Sequence, residues 1–170
     1  MGMASGKTHD GFTWAMAPPI WMICQSVLHY SVHVCLLITV GTLVGGLLLS
    51  PDLDTKSRPF YRWGIFRFIW LPYQWLAKHR SKLSHGLLLA SWFRLLYLYA
   101  ILTLLYSLIY LTLAQWIHIP PHAPGQDVLQ FTKTHLSSIA WLGIGIWIGA
   151  LLHILLDYFS SAWFSGRKRQ

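Results

Sequence analysis

The chain has 170 residues, of which 55% are hydrophobic and 11% charged, with a mean hydropathy of +0.47 and a net charge of +8. Soluble domains carry about 25% charged residues, so this composition excludes an ordinary water-soluble domain and points to an integral membrane protein. The basic residues flank apolar runs, which is the pattern of membrane orientation and argues against nucleic acid as a partner.

The N-terminus, with Lys7 followed by His9 and Asp10, lacks the basic start and small-residue cleavage site of a signal peptide. The first apolar run is therefore expected to stay in the mature protein. Between Gly11 and Pro51 there is no Asp, Glu, Lys or Arg, and these 41 residues suffice for two spans of about 20. The expected spans cover about 12–28 and 34–49, joined by a turn at His29-Tyr30-Ser31-Val32-His33. Pro18-Pro19 should kink the first span or delay its start. Gly41, Gly45 and Gly46 have the small-residue spacing of a close helix contact. Cys24 and Cys35 form no CxxC pair and no secreted framework, so they read as small buried side chains.

From about 55 to 84 the composition turns basic and aromatic, with Lys56, Arg58, Arg62, Arg67, Lys78, Arg80 and Lys82 among Phe60, Tyr61, Trp63, Phe66, Phe68, Trp70, Tyr73 and Trp75. Such a mixture suits the headgroup layer, either as a simple anchor or as a lipid-headgroup site. Pro72 should break any helix in this segment. A third apolar run covers about 87–117, longer than one crossing needs and interrupted by Arg94, which can snorkel or pair with a carboxylate inside the bundle. The stretch from His118 to His135, with Pro120, Pro121, Pro124 and Gly125, reads as a linker. A fourth span is expected over about 137–156, and the chain ends on Arg167-Lys168-Arg169.

The sequence thus predicts one all-α domain over residues 1–170, a four-span transmembrane bundle with an interfacial segment between spans two and three. Four spans put both termini on one side, and every Lys and Arg except Arg94 and Lys133 falls there. The positive-inside rule makes that face cytoplasmic, in a bacterial inner membrane or a thylakoid membrane. Asp10, Asp52, Asp54 and Asp157 share the face, leaving Asp127 opposite.

That face also gathers His9, His79, His85 and His153. His153 and Asp157 are four apart and share a helix face, while Asp52 and Asp54 alternate along a turn and can reach one centre. Carboxylates near hydrocarbon need a cation, either a metal ion or an arginine cluster of Arg58, Arg80 and Arg94. His29, His33, His118, His122 and His135 lie towards the opposite face, so the carboxylates discriminate and the histidines alone do not. The expected metal ligands are His9, Asp10, Asp52, Asp54, His85, His153 and Asp157, holding one or two divalent ions. Mixed imidazole and carboxylate donors suit Zn, Mn or Fe better than Cu(I).

Several short stretches carry a resemblance. Ser5 to Asp10 (SGKTHD), Ser50 to Asp54 (SPDLD), Tyr61 to Gly64 (YRWG), Trp70 to Tyr73 (WLPY) and His79-Arg80 followed by Ser84-His85-Gly86 together resemble a family of metal-binding integral membrane proteins known mainly from photosynthetic bacteria. Counting His153 to Asp157, the pattern is also distantly similar to the LexA-regulated membrane-bound metal-dependent hydrolases.

The chemistry expected from this arrangement is metal-assisted hydrolysis, in which bound ions acidify a water and polarise a phosphoryl or acyl oxygen. Arg80 and Arg58 would clamp a phosphate, and His79 would be a further ligand or a general acid. The interfacial position suggests membrane lipids as neighbours and an amphiphilic phosphate ester as substrate. The competing expectation is a non-catalytic scaffold or assembly factor whose metal fastens helix ends together. Transport is disfavoured because no Asp or Glu lies mid-span.

Overall fold

A computed structural model describes residues 5–76, 89–117 and 124–167. Regular structure among the described residues is entirely helical. Helix α1 covers Gly6–Met22 and runs without a break into a π-helical turn, Ile23–Val27. Helix α2 is Val32–Leu47, followed by a 3-10 turn at Pro51–Asp54. Short pieces follow: α3 (Arg58–Arg62), a 3-10 segment (Gly64–Trp70) and α4 (Leu71–Leu76). Then come α5 (Leu89–Ile117), α6 (Pro124–Thr134) and α7 (Leu136–Arg167).

Among the described residues, three helical segments are long and apolar enough to cross a membrane: Val32–Asp54, Ala90–Trp116 and Leu136–Ala162. Length and apolarity therefore support three of the four expected spans. The segment expected as the first begins earlier, at Gly6, because Ser5 caps the helix by accepting a hydrogen bond from the Thr8 amide at 3.3 Å. Pro18 and Pro19 neither delay nor end it. Lacking N–H groups, they leave the carbonyls of Trp14 and Ala15 without their usual intrahelical donors. Just beyond, the ladder widens to the π register, where the Leu28 amide donates to the Ile23 carbonyl. His29, at φ +52, reverses the chain, and Ser31 caps α2.

The bundle is built on α2 and α7. A Cβ at Gly45 would lie 2.7 Å from the Ile146 Cα, and one at Gly41 would lie 3.0 Å from the Gly145 Cα. Gly145 and Gly149 answer from the other side, against the Ile38 and Thr42 carbonyls. Two small-xxx-small stripes thus interlock, which lets the backbones touch. Gly46 admits Thr13 of α1 in the same way, and the Thr13 hydroxyl donates back to the His9 carbonyl at 2.9 Å.

The aromatic segment after Asp54 serves two roles, where the sequence suggests one. Phe60, Trp70 and Tyr73 are buried in a core with Leu49, Leu53, Ile69 and Ile146, while Tyr61, Phe66, Phe68 and Trp75 face outward. Pro72 occupies the second position of α4, so the break it enforces falls before it. The expected linker after His118 contains a helix, α6, because Pro124 is tolerated in a first turn and Asp127 and Lys133 suit the two ends of the helix dipole. Cys24 and Cys35 are buried and unbonded to each other, in a second cluster with Ile20 and Ile38.

Candidate metal centre

The Pro51–Asp54 turn is braced from several directions. The Asp52 carbonyl accepts hydrogen bonds from the Thr55 amide at 3.1 Å, the Thr55 hydroxyl at 3.1 Å and the Ser57 hydroxyl at 2.7 Å. Gln74 donates to the Leu53 and Thr55 carbonyls at 3.0 Å each. Arg62 and Trp63 donate to the Leu47 and Leu48 carbonyls, closing the C-terminus of α2. The Asp-x-Asp turn is therefore fixed before any ligand arrives.

Around it meet side chains far apart in sequence. His9 and His153 stack with ring centroids 3.8 Å apart and planes 19° apart. His9 Nε2 lies 3.1 Å from Asp157 Oδ1. His153 Nε2 lies 3.7 Å from Asp157 Oδ2 and 3.3 Å from Asp52 Oδ2. One donor atom from each of His9, His153 and Asp157 falls within 4.8 Å of the others. Two donors on one ion with bonds of about 2.1 Å sit roughly 3.4 Å apart in a tetrahedron, close to the 3.1, 3.3 and 3.7 Å approaches here, so these donors can converge on one centre.

The unsatisfied atoms give the same answer. His9 Nδ1 and both nitrogens of His153 are buried without a hydrogen-bond partner. A buried polar group left so costs about 1–3 kcal/mol, and bringing two carboxylates beside it adds charge. A divalent cation relieves both, and the imidazole and carboxylate donors fit Zn, Mn or Fe. The carboxylate side is open: Asp157 and Asp52 keep 22% and 31% of their side-chain surface exposed, against 5% and 2% for His9 and His153.

The other expected site residues fall elsewhere. Asp10 pairs with Arg58 at 2.9 Å and with Arg62, so its carboxylate is occupied by guanidinium groups. Asp54 is buried; the Arg94 guanidinium, itself buried, has Tyr73 as its strongest electrostatic partner and feels the charges of Asp54 and Asp52 more weakly. Arg94 is 1% exposed and donates a hydrogen bond to the Ser91 hydroxyl at 3.1 Å, so its guanidinium lies inside the bundle. Burial pushes the Tyr73 phenol above its ordinary pKa; the adjacent Arg94 opposes that rise and Asp54 adds to it. The carboxylates are thus divided between two kinds of neighbour: Asp52 and Asp157 face imidazoles, while Asp10 pairs with guanidinium groups. His79, Arg80 and His85 lie outside the described residues.

The model of the family described as "Uncharacterized metal-binding protein (DUF2227)" matches residues 4–167. The chain belongs to this family. Metal binding is the property its description carries, and the match spans the His9, Asp52, His153 and Asp157 contributions alike. A protein of Aquifex aeolicus (strain VF5), described only as "Uncharacterized protein", is 33% identical over 125 residues, covering 72% of this chain and 88% of that protein. No solved structure matches significantly. Neither match supports the distant similarity to the LexA-regulated hydrolases or a restriction to photosynthetic bacteria. Within this DUF2227 chain, sequence reasoning passes over Arg62, the second cation on Asp10, and the Gly145-xxx-Gly149 stripe. The stripe's spacing, the same as that of Gly41 and Gly45, is the signal that reveals it.

Proposed function

We propose that this protein is a membrane-embedded, metal-dependent hydrolase acting at the cytoplasmic surface on a phosphate ester carried by a lipid-like substrate. The observation that carries this reading is the asymmetry of the centre, with imidazoles shut in the bundle and the Asp52 and Asp157 carboxylates left partly open. A structural ion is enclosed by its ligands, whereas a catalytic one keeps a free position.

In this reading His9, His153, Asp52 and Asp157 hold the ion, with His85 as a further ligand. A divalent ion placed there supplies Lewis-acid polarisation and a more acidic water. The chain's own residues do the rest. Asp157 spans both imidazoles and fixes their ring planes. Arg80 and the half-exposed Arg58 bind the phosphate oxygens, and His79 gives a proton to the leaving group.

The topology that goes with this is four crossings with both termini cytoplasmic, in a bacterial inner membrane or thylakoid membrane. Support for the first crossing is geometric: α1 and its π turn, 17 and 5 residues, reach about 33 Å at 1.5 Å per residue. Within that length His9, on the metal side, and Cys24, which packs near Cys35, are about 22 Å apart along the helix.

The test is inorganic phosphate release from a long-chain phosphate monoester by the purified protein, with added Zn, Mn or Fe and with chelator. Metal-dependent release that Asp52→Asn abolishes is expected. Metal-loaded protein inert towards phosphate and acyl esters would overturn the hydrolase reading and leave the metal-fastened scaffold.

A further inference from the structure

The groove that opens two residues past Asp54 has no part in the centre just described. It has a volume of about 290 Å³ and is walled by Lys56 and Arg67 together with Tyr61, Ile65, Phe68 and Leu71. Buried Phe60 also lines it, the other six side chains are exposed, Ile65 to 81%, and nearby Phe66 and Trp75 are exposed as well. Arg67 lies over the Tyr61 ring, 5.5 Å from its centroid, which holds the guanidinium beside the groove without neutralising it. Among the described residues no carboxylate pairs with Lys56 or Arg67, in contrast to Arg58 and Arg62, which share Asp10.

We infer that this groove binds the phosphate-bearing headgroup of an anionic phospholipid, with the acyl chains lying along the outward aromatic face. Three features commit the surface to that occupant. Two uncompensated cations converge on a groove without a carboxylate, which demands an anion. Its remaining walls are aliphatic and aromatic, which a small hydrophilic anion would leave uncovered. The helical pieces carrying it are 5, 7 and 6 residues long, separated at Gly64 (φ +55), so they cannot cross a bilayer and suit its surface. Lys56 meets the phosphate as a point charge and Arg67 as a fork, while Tyr61 and Phe68 cover the glycerol region. The inference deepens the proposed membrane-surface function but requires neither turnover nor metal.

The experiment is native mass spectrometry of the full chain, metal-stripped in neutral detergent, titrated with phosphatidylglycerol or phosphatidylcholine. Wild type is expected to retain phosphatidylglycerol about tenfold more tightly than phosphatidylcholine. Lys56→Gln with Arg67→Gln should erase that preference while leaving phosphatidylcholine retention and thermal stability unchanged, and Lys56→Arg should keep it. Equal retention of the two lipids by wild type would overturn the inference, as would a preference that survives the double substitution. Competition by inorganic phosphate at the same concentration as the lipid would show a free-phosphate site and overturn it too. Because the readout is binding by metal-free protein, its failure is distinguishable from failure of the hydrolase reading, which phosphate release tests.

Discussion

Replacing Gly149 by alanine should loosen the bundle and empty the metal centre together. The added methyl would sit 2.6 Å from the Gly46 amide nitrogen and 3.0 Å from the Gly45 carbonyl carbon, facing the Thr42 carbonyl as well. Ordinary heavy-atom contacts begin near 3.5 Å, so relieving the Gly46 contact alone parts α2 and α7 by about 0.9 Å, and the closer Thr42 carbonyl requires more. Backbone on both sides leaves no side chain to swing away. Overpacking of this kind costs about 1–3 kcal/mol, roughly 2–4 °C of melting temperature per kcal/mol at this size. His153 lies one helical turn beyond Gly149, and Asp52 follows the C-terminus of α2, so the parting acts on their 3.3 Å approach. A spacing stretched towards roughly 4 Å no longer suits two ligands on one ion, and metal affinity should fall at least tenfold. Gly143→Ala is the control, because its new methyl meets nothing nearer than Leu95 Cδ1 at 4.0 Å. Both variants share the same gain in helix propensity, so their difference isolates the seam. Thermal unfolding in detergent and a metal-competition titration provide the readouts. A Gly149→Ala protein as stable and as metal-avid as Gly143→Ala would refute the reasoning.

Two other outcomes follow from the buried arginine and its neighbours. Arg94→Met should destabilise the protein by about 3–5 kcal/mol in denaturant or thermal unfolding, because it removes a buried cation from beside Tyr73 and Ser91 and leaves the buried Asp54 charge uncompensated, and Asp54→Leu added to it should recover part of the loss. Tyr73, whose phenol burial holds above its ordinary value, is favoured in its neutral form by the fold. Its contribution is fully present below about pH 10 and is lost as pH rises through the folded pKa. Melting temperatures between pH 9 and 11 should therefore fall less steeply in Tyr73→Phe than in wild type.

Much of this was legible in the sequence, and the limits have physical causes. The all-helical class follows from composition and from apolar runs too long for anything else. His153 and Asp157, four apart, declare their shared helix face locally. The meeting of His9 and Asp52 with them followed only from counting crossings, and their distances follow from a glycine seam of which the sequence reading recognised one side. Carboxylate roles were harder to read, because Asp10 and Asp54 look like ligands until Arg58, Arg62 and Arg94 are brought beside them. Aromatic periodicity could not separate Trp70 and Tyr73, which form core, from Phe68 and Trp75, which face out. That partition depends on which side of a short 3-10 segment packs on Leu49 and Leu53. Pro18 and Pro19 suggest a kink or a late start, yet the helix begins at Gly6, runs through both and passes into a π turn at Ile23–Val27, which no local rule forecasts.

The central claim is that His9, Asp52, His153 and Asp157 hold a divalent metal ion, and elemental analysis of purified protein tests it most directly. Wild type should carry one or two ions of Zn, Mn or Fe per chain. Metal should drop to near zero in folded His153→Ala and Asp157→Asn, while Asp10→Asn, which removes only the partner of two arginines, should keep it. Metal-free wild type, or His153→Ala protein with its full complement of metal, would contradict the account.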